Sequence, residues 1–274
     1  MRRTFKTFAL AGIAALAMAV STAIPAQAAP RLNASTYVAL GDSYSSGALL
    51  GGNLVPPPCD RSSAAYPVVL AGGTNFVSFK ACSGATIADT LALLPTLPQP
   101  NVKVVTLTMG FNDTHWTAAV AALLAGDATY LSLIPNEITD VAAQIPHLIL
   151  ALRTAYPKAT IYWGGYVQQF GPGEHLAGLC AFAYGNPPTL TFVSIQNELA
   201  ASLDGLVLSM NRVLRESIAA ASAGGASITY VNADVQFTGQ RACNNPTPAV
   251  FNLHPTVAGQ VLYARAFKDA GAGK

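Results

Sequence analysis

Charge is scarce in this chain. Lys, Arg, Asp and Glu make up 10% of its 274 residues, and they form no basic stripe, which excludes the electrostatic footprint of a nucleic-acid binder. Acidic side chains are missing from the first 41 residues, where Arg2, Arg3 and Lys6 precede an apolar run from Phe8 to Val20 and the triplet Ala26-Gln27-Ala28. A basic start, a short apolar stretch and a small-x-small site form the plan of a secretory signal peptide over residues 1–28. The run is shorter than the ~20 residues a spanning helix needs, so stable membrane insertion is not expected. The first 28 residues hold three of the 15 basic side chains and none of the 13 acidic ones. The remainder therefore carries 12 against 13, close to neutral.

Cysteine is also rare, and no Cys-x-x-Cys pair occurs, which argues against a zinc site. The four cysteines, Cys59, Cys82, Cys180 and Cys243, read as two disulfides in an exported protein. Of the three pairings, Cys59–Cys82 with Cys180–Cys243 is favoured, because the others tie together segments far apart in the chain. Loop closure would contribute at most about 3–4 kcal/mol per bridge.

Internal repeats and dividing linkers are absent, so residues 29–274 are expected to form a single domain with a full core. Five stretches read as strands: Tyr37–Leu40, Phe76–Lys80, Val102–Thr108, Thr160–Trp163 and Ile228–Val231. Helical spacing lies between and after them. Ile138, Val141, Ile145, Leu148 and Leu152 mark one helix, which Pro146 should kink. Leu199, Leu203, Leu206, Met210 and Val213 mark a second, stopped by Gly224-Gly225, and Val257, Val261, Ala264 and Phe267 a third, opened by Pro255. Strands alternating with helices predict an α/β fold, a five-stranded parallel sheet in a three-layer α/β/α arrangement. The Pro/Gly-rich stretches 47–58 and 171–188 read as surface loops.

In such sheets ligands bind beyond the carboxyl ends of the strands. Three polar turns fall there: Gly41-Asp42-Ser43 after the first strand, Cys82-Ser83-Gly84 after the second and Gly110-Phe111-Asn112-Asp113 after the third. Acyl transfer needs a nucleophile, a base and donors for the developing oxyanion. Ser43 is the candidate nucleophile. The backbone N–H groups of Ser43 and Gly84 and the side-chain amide of Asn112 are candidate oxyanion donors, although Asn112 also suits a turn cap. The motif is not the G-x-S-x-G elbow, because Ser45 stands two residues after Ser43. Among four histidines, His147 lies mid-helix, His175 in a loop and His115 too close behind Asn112. His254, at the entrance to the last helix, is the best placed base.

These blocks resemble those of the secreted actinobacterial SGNH, or GDSL-type, esterases and lipases. "GDSYSSG" resembles the first block of that family, "ACSGAT" the second, "GFND" the third and "HPTVAGQ" the last, in order and across Tyr37 to about Ala266. "CDRSSAAYP" after Cys59 and "FTGQRAC" before Cys243 are also similar to it. The resemblance implies a flavodoxin-like SGNH fold, with Ser43 as nucleophile, His254 as base and Ser43, Gly84 and Asn112 as the oxyanion hole.

The departures are specific. Many members of the family carry an aspartate three residues before the histidine, and here Phe251 stands there. The carbonyls of Asn252 and Phe251 are then the candidates to orient His254, with Asp234 as a remote substitute. Phe111 replaces a common glycine, and a third cysteine pair is missing. The expectation is a secreted, extracellular, monomeric enzyme without metal or cofactor. It would cleave lipid, phospholipid or other acyl esters through a Ser43–His254 dyad and an acyl-enzyme. Asp42 is expected to hold the turn, and Leu49, Leu50, Val55, Phe170, Phe182 and Tyr184 are candidates for the acyl site. The alternatives are an acetyl esterase acting on polysaccharide, or a non-catalytic lipid- or glycan-binding protein on the same fold.

Overall fold

The computed structural model describes residues 32–97, 100–125, 127, 129–171, 179–184, 191–242 and 248–273. The expected leader lies outside these residues. Five strands form one sheet: β1 (Tyr37–Ala39), β2 (Ser78–Phe79), β3 (Val104–Leu107), β4 (Thr160–Gly164) and β5 (Ile228–Val231). Their order is β2-β1-β3-β4-β5, and every neighbouring pair is parallel. This is the flavodoxin-like order, in which the chain reverses direction across the sheet between β1 and β3. That reversal opens a crevice beyond the carboxyl ends of those two strands.

The sheet is central and apolar because both faces are covered. Val38, Val105, Leu107, Ile161 and Trp163 are buried along it. The one polar side chain inside β3, Thr106, bonds the hydroxyl of buried Tyr37 at 2.8 Å. The helices are α1 (Ser43–Ser46), α2 (Tyr66–Ala71), α3 (Ile87–Leu93), α4 (Trp116–Leu124), α5 (Ile134–Ala155), α6 (Asn197–Ala223) and α7 (Val257–Asp269). α5 packs against α3 and α6, and α2 against α7. Between the latter two, Tyr66 stacks on Phe267 with ring centroids 4.5 Å apart and planes 6° from parallel. Among the described residues no helix is long and apolar enough to cross a membrane.

The expected stripe of α5 is buried at all five positions, and the helix continues through Pro146 to Ala155. In α6 the buried stripe is Leu203, Val207, Met210, Leu214 and Ile218, displaced from the expected Leu206 and Val213, which are only partly buried. The buried face of α7 is Gln260, Tyr263, Ala264 and Phe267, whereas Val257 and Val261 are 53% and 50% exposed. The cap of α7 is Thr256, whose side chain accepts from the Gly259 N–H; Pro255 precedes the helix in a short strand. The two stretches read as loops contain strands. Asn53–Val55 pairs antiparallel with Arg61–Ser62, and Leu179–Tyr184 with Thr191–Gln196. Thr191, Val193 and Ile195 supply the β-branched alternation of a strand, which the neighbouring glycines and prolines obscured.

Candidate active site

The turn after β1 is built around Asp42. Gly41 has φ +115°, and a Cβ there would lie 2.5 Å from Ser45 Oγ and 2.6 Å from the Thr108 carbonyl, so no other residue fits. Asp42 caps α1 by accepting from the Tyr44 N–H at 3.0 Å. The Thr108 hydroxyl donates to the same carboxylate at 2.7 Å, and the Tyr166 hydroxyl donates to its other oxygen. Asp42 is almost fully buried, and desolvation pushes its pKa up to about 6 even though these donors pull it down. Asp42 therefore holds the turn, as its position in the sequence suggested. Ser43 is left as the first residue of α1, where a backbone N–H has no intrahelical acceptor.

Two further turns stand beside it. After β2, the disulfide Cys59–Cys82 joins two loops, and the Ser83 N–H donates to the Cys59 carbonyl at 2.9 Å. Gly84 follows at φ +80°. After β3, Asn112 sits in the 3-10 turn Phe111–Asp113 and donates its Nδ2 to the Ala85 carbonyl at 3.0 Å. One hydrogen of that amide remains for another acceptor. Asp113 accepts from the Ile87 N–H at 3.0 Å, and its carboxyl is raised to about 6, chiefly by burial.

His254 arrives on a hairpin. Val250–Phe251 pairs antiparallel with His254–Pro255, leaving Asn252 and Leu253 as a two-residue connection. Their φ values are +49° and +62°, the pair of positive angles that a type I′ turn requires. The turn brings the Asn252 carbonyl 2.9 Å from His254 Nδ1. A carbonyl only accepts, so Nδ1 carries the proton and Nε2 keeps its lone pair. The Tyr44 hydroxyl donates to the Leu253 carbonyl at 2.9 Å, and its ring lies 5.6 Å from the imidazole, centroid to centroid. α7 closes on the hairpin because Gly259 has no side chain; a Cβ there would lie 2.0 Å from the Ala249 carbonyl. Gln260 then accepts from the Tyr66 N–H at 2.7 Å and donates to the Tyr44 carbonyl at 3.1 Å. Burial lowers the pKa of His254 from its ordinary 6.5; the Asn252 carbonyl and the charge of Asp60 oppose that shift.

Ser43, Ser83, Asn112 and His254 line one cleft of about 410 Å³. Leu49, Phe111, Trp116 and Leu253 form its apolar walls, and Tyr44 and Tyr166 border it. Gly84 faces an adjoining cavity of about 320 Å³, which shares Ser83 with the cleft. Of the expected acyl-site residues, Leu49 alone lines the cleft. Phe170 is fully buried in the core, Leu50 and Val55 lie outside the lining, and the side chains of Phe182 and Tyr184 fall outside the described residues. Trp116 and Tyr166 were missed; Tyr166 follows β4 at the same rim that supplied the other turns. Of the two carbonyls expected as candidates to orient His254, that of Asn252 lies 2.9 Å from its Nδ1. Asp234 accepts from the Gln168 N–H at 2.8 Å and pairs with Arg241 at 3.0 Å, so it is engaged away from the imidazole. His115 pairs with Glu137, and His147 is exposed on α5. His175 and the Cys180–Cys243 pairing lie outside the described residues.

A model of the GDSL-like lipase/acylhydrolase family matches residues 39–262. A Streptomyces rimosus protein named "Lipase" is 28% identical over 260 residues, covering 89% of each chain. "Lipase 2" of Streptomyces coelicolor is 41% identical over 140 residues, 46% of this chain and 45% of that one. The crystal structure of the extracellular S. rimosus lipase superposes with a TM-score of 0.68 at 25% identity, covering 86% of this chain and all of that one. Phospholipase A1 of Streptomyces albidoflavus shares the fold, with a TM-score of 0.67 at 23% identity over 87% of this chain and all of its own.

Proposed function

The chain belongs to the GDSL-like lipase/acylhydrolase family and is a carboxylic ester hydrolase, and we propose that it is a secreted enzyme working through a Ser43–His254 dyad. The observation that carries this reading is the convergence of Ser43, Asn112 and His254 on one cleft, with His254 Nδ1 on the Asn252 carbonyl. With Nδ1 protonated, Nε2 takes the Ser43 hydroxyl proton as Oγ attacks the ester carbonyl. The Ser43 and Gly84 N–H groups and the second hydrogen of Asn112 Nδ2 hold the oxyanion. The imidazolium returns its proton to the departing alkoxide, and an acyl-enzyme remains. Water then attacks with His254 again as base, restoring Ser43 and releasing the acid.

The apolar walls favour an acyl chain over an acetyl group. The cleft volume falls within the ~300–1,000 Å³ of small-molecule sites, and Leu49, Phe111, Trp116 and Leu253 offer a hydrocarbon surface. The named lipase relative points the same way. The substrate class is thus a lipid or other acyl ester, acted on outside the cell after removal of residues 1–28. The test is two-fold. A fluorophosphonate should label Ser43 alone, read by peptide mass spectrometry, and nitrophenyl esters should give kcat/KM rising beyond acetate. Labelling elsewhere would overturn the nucleophile, and a maximum at acetate would favour a deacetylase.

A further inference from the structure

Asp204 is a fully buried carboxylate on α6 that takes no part in the hydrolysis described above. Roughly two turns further along the same helix stands Asn211, also buried. Asn211 holds Tyr166 by both main-chain groups, accepting from its N–H at 2.8 Å and donating to its carbonyl at 2.7 Å. Asp204 holds the next bend of the same segment. It accepts from the N–H groups of Gln169 at 2.7 Å, Phe170 at 3.1 Å and Gly171 at 2.6 Å. The Gln169 carbonyl accepts from the Ala242 N–H at 2.9 Å, so the main chain of Gln169 is fixed from both sides. Its side-chain amide lies between two oxygens. The Val167 carbonyl, 3.0 Å from Nε2, can only accept, so one amide hydrogen points there. The other goes to the Tyr44 hydroxyl oxygen at 2.9 Å. That hydroxyl accepts from Gln169 and therefore keeps its own proton for the Leu253 carbonyl, also at 2.9 Å. Leu253 is the second residue of the turn that presents His254. Hydrogen bonds thus run without a gap from Asp204 through Gln169 and Tyr44 to Leu253.

We propose that Gln169 is a positioning residue for the ester hydrolysis: its amide, anchored to α6 by Asp204, sets the direction of the Tyr44 hydroxyl and, through it, the hairpin that aims His254 at Ser43. This rests on the Ser43–His254 reading. A hydroxyl that accepts a hydrogen bond also donates more strongly, so each bond in the chain supports the next. Tyr44 is the residue through which such support reaches both partners. It follows Ser43 in α1, and its ring packs against the His254 imidazole. A small displacement of the hairpin would move the imidazole off the Ser43 hydroxyl, and reaction rates are sensitive to misplacements on that scale. Gln169 is buried and lies outside the lining of the cleft. Its influence therefore falls on the reacting groups rather than on the binding of substrate, and belongs in kcat rather than KM.

The test is a double-mutant cycle. Gln169→Leu removes the amide and Tyr44→Phe the hydroxyl, singly and together, with kcat and KM read on one nitrophenyl ester below each melting temperature. Gln169→Leu should lower kcat about three- to tenfold, the scale of one lost hydrogen bond, with KM unchanged. The double variant should match Tyr44→Phe within about twofold, because without the hydroxyl the amide has nothing to direct. Losses that multiply in the double variant, or a fall in kcat below about twofold in Gln169→Leu, would overturn the proposal and leave Gln169 a packing residue. Gln169→Met, unbranched and of similar length, takes its place should Gln169→Leu not fold. In Tyr44→Phe alone, the Gln169 side-chain amide resonances should shift and exchange faster with water. Resonances that overlay the wild type would overturn the link, and this measurement needs no Gln169 variant. Failure of the Ser43–His254 reading would show separately, as fluorophosphonate labelling away from Ser43.

Discussion

Two corners of the site use acceptors of opposite kind. At the end of β1 a carboxylate, Asp42, holds the turn that carries Ser43, buried and saturated by the Tyr44 N–H and the Thr108 and Tyr166 hydroxyls. At the hairpin before α7 a neutral carbonyl, that of Asn252, holds His254. A buried carboxylate costs desolvation, visible in the upward pKa shift of Asp42, and its hydrogen-bond donors offset only part of it. The carbonyl costs little to bury and still fixes the tautomer, but it does little to stabilise a positive ring. The strong acceptor thus keeps the turn of Ser43 rigid, and the weak one orients His254, the proposed base. Tyr44 joins the corners: it follows Ser43 in α1 and its hydroxyl clamps the Leu253 carbonyl.

The comparison can be broken by substitution, beginning with the largest effect. Ser43→Ala should abolish ester turnover, a loss of at least about 10⁴-fold, while leaving the melting temperature near wild type. Asn112→Ala should lower kcat by about 10²–10³ if its free hydrogen faces the oxyanion; a fall below fivefold would make Asn112 a turn residue only. Tyr44→Phe removes the clamp on Leu253 and keeps the ring against His254. It should lower kcat about tenfold, the scale of one lost hydrogen bond at roughly 1–1.5 kcal/mol, with little change in KM. Asp234→Asn should change kcat/KM less than about threefold below its melting temperature, although its pairing with buried Arg241 makes lost stability the larger effect. A loss near 10⁴-fold in that variant would instead mark a remote triad member.

Much of this was legible in sequence, for reasons particular to each residue. The sheet could be read because central parallel strands are buried on both faces and appear as continuous β-branched runs, "VKVVTLT" above all. The rim turns could be read because β1 and β3 are neighbours at the reversal of strand order. The outward face of α7 was misread because Val257 and Val261 keep the apolar spacing. Its buried face is instead chosen by Gly259, which allows contact with Ala249, and by Gln260, which bonds Tyr66 and Tyr44. Neither contact leaves a periodic signal. Phe170, expected at the acyl site, lies in the core, and Trp116, at the start of α4, lines the cleft: both are equally apolar in sequence, and only packing assigns one to the core and the other to the cleft. The choice of Asn252 over Phe251 depends on two consecutive positive φ angles, which asparagine tolerates but which a leucine at the second position does not announce.

The pH profile of wild-type kcat/KM tests the central contrast most directly. As the proposed base His254 must be neutral to take the Ser43 proton, and burial favours its neutral form, so activity should rise with pH along a single limb centred below 6.5 and stay level through neutrality. A limb centred above 7 would mean that a carboxylate holds the imidazole in its charged form, and would contradict a base oriented by a backbone carbonyl.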